Sequence, residues 1–143
     1  MRISTRGRYS LEALLFLALL PEERYASTRE ISAQTGISDG YLEQLFILLK
    51  KAGIIRGIRG PTGGYLPGRD PELITVGDIL RSVEGSLAPV ACIASGSCPS
   101  ESECLSRHTW DRLYREISSC IDGITLADLA AAHQNQEKPE FAL

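Results

Sequence analysis

The chain has 143 residues, 43% of them hydrophobic and 23% charged, with a formal net charge of −3. This is the composition of a globular protein with enough chain to bury a core, and it excludes collagen-like, disordered and disulfide-scaffold readings. No apolar run reaches the roughly 20 residues that span a bilayer. The overall acidity hides an asymmetry. Residues 1–70 carry ten basic and seven acidic residues, whereas residues 71–143 carry five and eleven. A basic front on an acidic back points to one face that meets a polyanion such as nucleic acid.

In chain order, Arg2, Arg6 and Arg8 ahead of Leu11–Leu20 first suggest a secretory signal. Glu12 interrupts the apolar segment, however, and Pro21-Glu22-Glu23-Arg24 offers no small-residue cleavage site. Leu11, Leu14, Leu15, Ala18 and Leu19 instead fall at i, i+3, i+4, i+7 and i+8, which predicts a buried helix from about Arg6 to Leu20. A cytoplasmic protein is expected, with its four cysteines serving as thiols or metal ligands.

Ser27-Thr28-Arg29-Glu30 fits a capping box and opens a second helix that stops at Gly36. Ser38 caps a third, running to about Ala52 with Leu42, Leu45, Phe46, Leu48 and Leu49 as its stripe. Two helices joined by a short Gly-containing turn make a helix-turn-helix. Ile54–Arg59 then alternates as a strand, Gly60-Pro61-Thr62-Gly63-Gly64 turns, and Tyr65-Leu66 begins the return, so the unit carries a hairpin wing.

Thr75 opens a short helix, Val76–Val83. Residues 85–103 read as a loop by composition. A long amphipathic helix is predicted from about Leu105 to Asp122, striped by Trp110, Leu113, Tyr114, Ile117 and Ile121, and a shorter one over Leu126–Ala132. The fold class is therefore mainly α: a winged helix-turn-helix with a small β-hairpin wing and a long C-terminal helix. The expected organisation is residues 1–70 as the DNA-binding domain, 71–84 as a connecting helix, 85–104 as a cysteine-rich loop, 105–135 as terminal helices and 136–143 as a flexible tail.

A helix-turn-helix reads DNA by laying its second helix in the major groove. The residues placed to reach base edges are Ser38, Asp39, Gly40, Tyr41, Glu43 and Gln44. Gln44 has the paired groups that adenine takes, and Glu43 accepts from the cytosine amino group. Arg59, at the wing tip beside glycines, suits a narrow minor groove. Arg6, Arg8, Lys50, Lys51 and Arg56 are assigned to phosphates, which position the protein without specifying sequence.

Cys92, Cys98 and Cys104 follow a C-x5-C-x5-C spacing inside the predicted loop. Structural zinc commonly uses cysteines two to four residues apart. Three thiolates on a loop also suit an iron–sulfur cluster, whose irons need four protein ligands. Zinc and redox thiols stay open at this point. His108, at i+4 from Cys104, is the candidate fourth ligand; Glu101 and Glu103 are others, and Cys120 reads as a small buried hydrophobe on the long helix. No Cys-x-x-Cys, nucleophile–base pair or phosphate loop supports an enzyme.

Met1-Arg2, Gly7-Arg8-Tyr9, Gly36-Ile37-Ser38, Tyr41-Leu42-Glu43-Gln44-Leu45, Arg59-Gly60-Pro61 and Gly63-Gly64-Tyr65-Leu66 closely resemble the IscR-like winged-helix transcription regulators. The resemblance continues through the three cysteines, Trp110 and Ile124-Thr125-Leu126. It implies a homodimer on a palindromic double-stranded operator, with helix 105–122 crossing its partner and a [2Fe–2S] cluster on Cys92, Cys98 and Cys104. It also implies control of genes such as those for iron–sulfur cluster biogenesis, with Glu43 letting cluster state alter operator choice. Cluster-free and thiol-based regulators share the same fold. The family's fourth ligand is a His three residues after the last Cys; here Arg107 stands there and His108 comes one place later. The nitric-oxide-sensing branch has an Asp near the start of the first helix, where this chain has Arg8.

Overall fold

The computed structural model describes residues 2–96 and 104–137. Seven helices and a two-stranded hairpin follow one another among them. They are α1 (Thr5–Leu19), α2 (Thr28–Thr35), α3 (Asp39–Lys51), β1 (Ile55–Ile58), β2 (Gly64–Pro67), α4 (Val76–Glu84), α5 (Ala91–Ser95), α6 (Arg107–Asp122) and α7 (Leu126–Glu137). A single 3-10 turn, Pro71–Leu73, precedes α4. The mainly helical winged architecture expected from the sequence is the one observed.

α1 lies at the centre, packed against α2, α3, α4, α7 and β2. Its most buried line is Gly7, Ser10, Ala13, Leu14 and Leu17, one step round from the predicted stripe. Leu11, Leu15 and Ala18 are only half-buried against the same core. The offset follows from the helix having neighbours on several sides, so that the small Gly7, Ser10 and Ala13 take close contacts beside Leu14 and Leu17.

The helix-turn-helix is built by local capping. Ser27 Oγ accepts from the amide of Glu30, and Ser38 Oγ from that of Tyr41, each satisfying a donor that the first helical turn leaves open. Between the two helices Gly36 adopts φ +78°, the left-handed conformation that costs Gly nothing. Ile37 drops into the core beside Ile31 and Leu42. α3 buries Leu42, Leu45, Phe46 and Leu49, each contributing about 1.5–3 kcal/mol.

The wing pairs antiparallel, with Ile55 opposite Pro67 and Ile58 opposite Gly64. It is fastened at its base by a two-way bridge in which Tyr65 and Ala26 exchange backbone hydrogen bonds at 2.8 and 3.0 Å. A side chain at Gly64 would collide with the Ala26 carbonyl at 2.6 Å, which explains the glycine. Tyr65 also sets its ring against Phe46 of α3, centroids 4.8 Å apart.

The second half hangs on α4. Thr75 and Asp78 form a reciprocal capping box at its start. A short ladder, Val76 N to Ile124 O and Leu126 N to Ile74 O, joins it to the α6–α7 turn. Arg81 grips Asp122 at the end of α6 through two hydrogen bonds of 2.7 and 2.9 Å.

Three expectations are corrected here. The stretch expected as continuous loop after Val83 contains a short helix, α5. α7 runs on to Glu137 rather than ending at Ala132. Cys120 is exposed, not buried, and α6 has no fully buried residue. Its Ile121 end packs on Val76, Leu80 and Leu87, but the flank with Leu113 and Cys120 is turned away, so burial by the chain itself does not follow from the stripe. Residues 138–143, expected as tail, lie outside the described residues.

Candidate nucleic-acid interface and cysteine pocket

Once α3 has buried its apolar stripe, the opposite face carries Gly40, Glu43, Gln44, Ile47, Lys50 and Lys51, all exposed. Nothing lies within 4 Å of where a side chain at Gly40 would start. Ser38 is exposed at the head of the helix with its oxygen engaged as the cap. Tyr41 is half-buried instead: its ring meets that of Tyr9 edge-on, centroids 5.9 Å apart. Tyr9 in turn lies under the guanidinium of Arg8, 5.2 Å from the ring centroid. This Arg8–Tyr9–Tyr41 stack brings the basic first turn of α1 alongside the start of α3.

Lys50 and Arg59 line one open groove with Ser27, Thr28 and the wing glycines Gly57, Gly60, Gly63 and Gly64, about 390 Å³ in volume. A side chain at Gly57 would begin 3.8 Å from Lys50 Nζ, so the ammonium sits over the base of the wing. Arg56, one residue earlier on β1, lines a separate depression with Leu20, Arg24 and Arg69. Arg2 and Arg8 flank a third, at the N-terminus of α1. Four of the predicted basic contacts, Arg8, Lys50, Lys51 and Arg59, therefore surround the exposed face of α3, while Arg56 stands apart.

That N-terminus is held by Glu84 from the end of α4. Its Oε1 accepts from Ser4 N at 2.9 Å, Ser4 Oγ at 2.5 Å and Gly7 N at 3.0 Å. Burial alone would push this carboxyl up. The hydrogen bonds from Ser4 and Gly7, with Arg6 nearby, outweigh it and hold Glu84 below its ordinary value. A side chain at Gly7 would run into Glu84 Oε1, so that close approach depends on the glycine.

On the far side, Cys92 of α5 and Cys104 just ahead of α6 line one pocket of about 120 Å³ with Ile93, Gly96, Arg107 and Asp111. Ser106 organises its mouth. Trp110 Nε1 donates to Ser106 Oγ at 2.9 Å, and Cys104 Sγ lies 3.6 Å from the same hydroxyl. Because that oxygen already accepts from Trp110, its own hydrogen is available to the sulfur. Hydrogen bonds from the Ser106 side chain and backbone, then from the Arg107 amide, lower the Cys104 thiol below its ordinary value. His108 is exposed and is not among the lining residues, whereas Arg107 is. Cys98 lies outside the described residues. Among the described residues no three Cys, His, Asp or Glu side chains are grouped closely enough to hold a metal ion, and no helix is long and apolar enough to cross a membrane.

The profile of the Rrf2 family, iron-dependent transcriptional regulators, matches residues 3–132. The chain belongs to the Rrf2 family. It is 39% identical over 142 residues to the HTH-type transcriptional regulator IscR of Yersinia pseudotuberculosis, covering 99% of this chain and 85% of that one. Among solved structures it resembles CymR (YrzC), the global cysteine regulator of B. subtilis, with a TM-score of 0.80 at 37% identity over 92% of this chain and 98% of that chain. It resembles T. potens IscR equally, with a TM-score of 0.80 at 32% identity over 99% and 95%. This Rrf2 protein is thus a DNA-binding transcriptional regulator, and its exposed α3 face and wing form the candidate nucleic-acid interface.

Sequence reasoning missed Tyr9 as the joint between α1 and α3, Ile47 on the exposed face of α3, and Asp111 in the cysteine pocket. For Ile47 the signal was present: it falls off the spacing of Leu42, Leu45, Phe46 and Leu49. Tyr9 carries no such signal, because its partner lies 32 positions away.

Proposed function

We propose that this Rrf2 protein is an IscR-type homodimer that acts in the cytoplasm, binds a palindromic operator and reports iron–sulfur status through a [2Fe–2S] cluster. It would thereby control genes such as those for iron–sulfur cluster biogenesis. The observation that carries the sensing half is the shared pocket: thiols 12 residues apart in sequence open onto one hollow at the head of α6. Soft thiolate donors suit an iron–sulfur cluster, and the lowered Cys104 thiol favours the thiolate form. Cys92, Cys98 and Cys104 are the protein ligands in this reading, with His108 one place out of the family's register.

When bound, the cluster supplies bonds that tie α5 to the start of α6. The rest is done by the chain's own groups. A ligand that binds only the ordered form stabilises it by about 2.7 kcal/mol at a hundredfold excess over Kd. Ordered α6 holds α4 through Asp122 and Arg81, and α4 holds α1 through Glu84. A coupling of about 1–3 kcal/mol along that path changes operator affinity roughly 5–150-fold. At the duplex, Gln44 and Glu43 read base edges with Ser38, Gly40 and Tyr41 at the head of the helix. Arg59 enters the minor groove, and Arg8, Lys50, Lys51 and Arg56 hold phosphates.

A second reading, a cluster-free thiol regulator, draws support from the equal likeness to B. subtilis CymR and from the displaced His108. Purification without oxygen, followed by iron and sulfide analysis and an absorption spectrum, separates the two. The cluster reading expects coloured protein with two irons per chain, and loss of colour together with altered operator affinity in Cys98→Ala. Colourless, iron-free protein that selects its operator as well as ever overturns it in favour of the second.

A further inference from the structure

We propose that Ile47 is a specificity-determining residue that packs on the C5-methyl group of a thymine in the operator's major groove. The inference deepens the DNA-binding reading of α3 and rests on it.

Ile47 is 68% exposed, on a helix whose other large apolar side chains are buried or half-buried. A single exposed isoleucine needs no explanation on an ordinary surface. Its position here is particular. Its helical neighbours at i−4, i−3, i+3 and i+4 are Glu43, Gln44, Lys50 and Lys51, so it stands in the middle of the face that those four polar side chains form. Each of them has an exposed side chain suited to a base edge or a phosphate. Ile47 can do neither, and among the described residues no other element covers it.

An apolar occupant for that spot must come with polar base edges on one side and negative charge on the other. A protein partner offering an apolar patch would leave Glu43, Gln44 and both lysines to be desolvated around it. A DNA duplex supplies all three chemistries at once. Base edges face Glu43 and Gln44, phosphates face Lys50 and Lys51, and the one apolar group that the major groove displays is the thymine methyl. At about 1.5 Å rise per residue, Ile47 lies roughly 6 Å along the helix from Glu43. Base pairs stack about 3.4 Å apart, so the methyl belongs within about two base pairs of the one that Glu43 meets.

The test uses the full chain. Operators are selected from a random duplex pool, and each thymine of the half-site is replaced in turn by deoxyuridine, which removes the methyl group alone. Affinities of the wild type and of Ile47→Ser are measured by fluorescence anisotropy, with circular dichroism confirming that the exposed substitution leaves the fold intact. One thymine position should weaken the wild type about fourfold per half-site, the worth of one buried methyl, and leave Ile47→Ser unchanged. Selection that succeeds while no deoxyuridine position couples to Ile47 overturns this inference and leaves the DNA-binding reading standing, as does a half-site with no thymine in that window. Selection that returns no preferred duplex sinks both.

Discussion

At the scale of single residues, Glu43 and Glu84 show how one side-chain type does opposite work. Glu43 is exposed beside Gln44, and a carboxylate near phosphates is repelled by them, so its worth lies in discrimination and not in affinity. Glu43→Ala should compress the affinity ratio between selected and mismatched operators while changing binding to random duplex less than about twofold; competition anisotropy measures both. A uniform loss on all sequences would assign it a structural role. Glu84, by contrast, is enclosed by Ser4 and Gly7, and its carboxyl is held below the unfolded value. Its contribution to stability is complete above the ordinary glutamate value of about 4.3 and fades as acid carries the pH through the lower folded one. Glu84→Gln should therefore lower the urea midpoint at pH 7 and converge with the wild type once acid has carried the pH below that folded value.

At the scale of elements, the helix-turn-helix and wing were legible because their signals are local. Ser27, Gly36, Ser38 and the run Gly60–Gly64 each act on amides or dihedrals within a few positions. What escaped the sequence depends on distant partners. The inward face of α1 slipped by one position because four other helices and β2 compete for it. Cys120 came out exposed because the stripe of α6 is amphipathic without an inner neighbour along its whole length. Leu113 on α6 is 41% exposed, and Leu105 just ahead of that helix is fully so. The proposed dimer places the Leu113 flank at its contact. Leu113→Lys should convert dimer to monomer in sedimentation at micromolar concentration and cost operator binding at least tenfold, with the helical signal retained. A variant that stays dimeric would place the contact elsewhere. In the candidate site, spacing alone singled out Cys92 and Cys104 and the structure puts them on one pocket, whereas Asp111 enters it only through the pitch of α6.

At the scale of the molecule, the charge asymmetry seen in composition becomes geometry. Arg8, Lys50, Lys51 and Arg59 surround the exposed face of α3. Binding to any duplex should therefore weaken steeply with salt as condensed counterions are released. Lys50→Ala should reduce the slope of log affinity against log salt by about one per half-site and weaken binding evenly across sequences, read by anisotropy between 50 and 200 mM salt. An unchanged slope would remove Lys50 from the phosphate contacts.

Arg81 and Glu84 sit a single turn apart on α4, a helix of only nine residues. One clasps the tail end of α6, 41 positions downstream, and the other the opening of α1, 80 positions upstream. Two remote stretches of the polypeptide thus hang from the same short peg. A nudge that tilts the peg must move the arginine-bearing entrance of the first helix together with the exit of the sixth, and because the peg is itself rooted in the greasy interior through Ile79 and Val83, it can only move as a rigid piece.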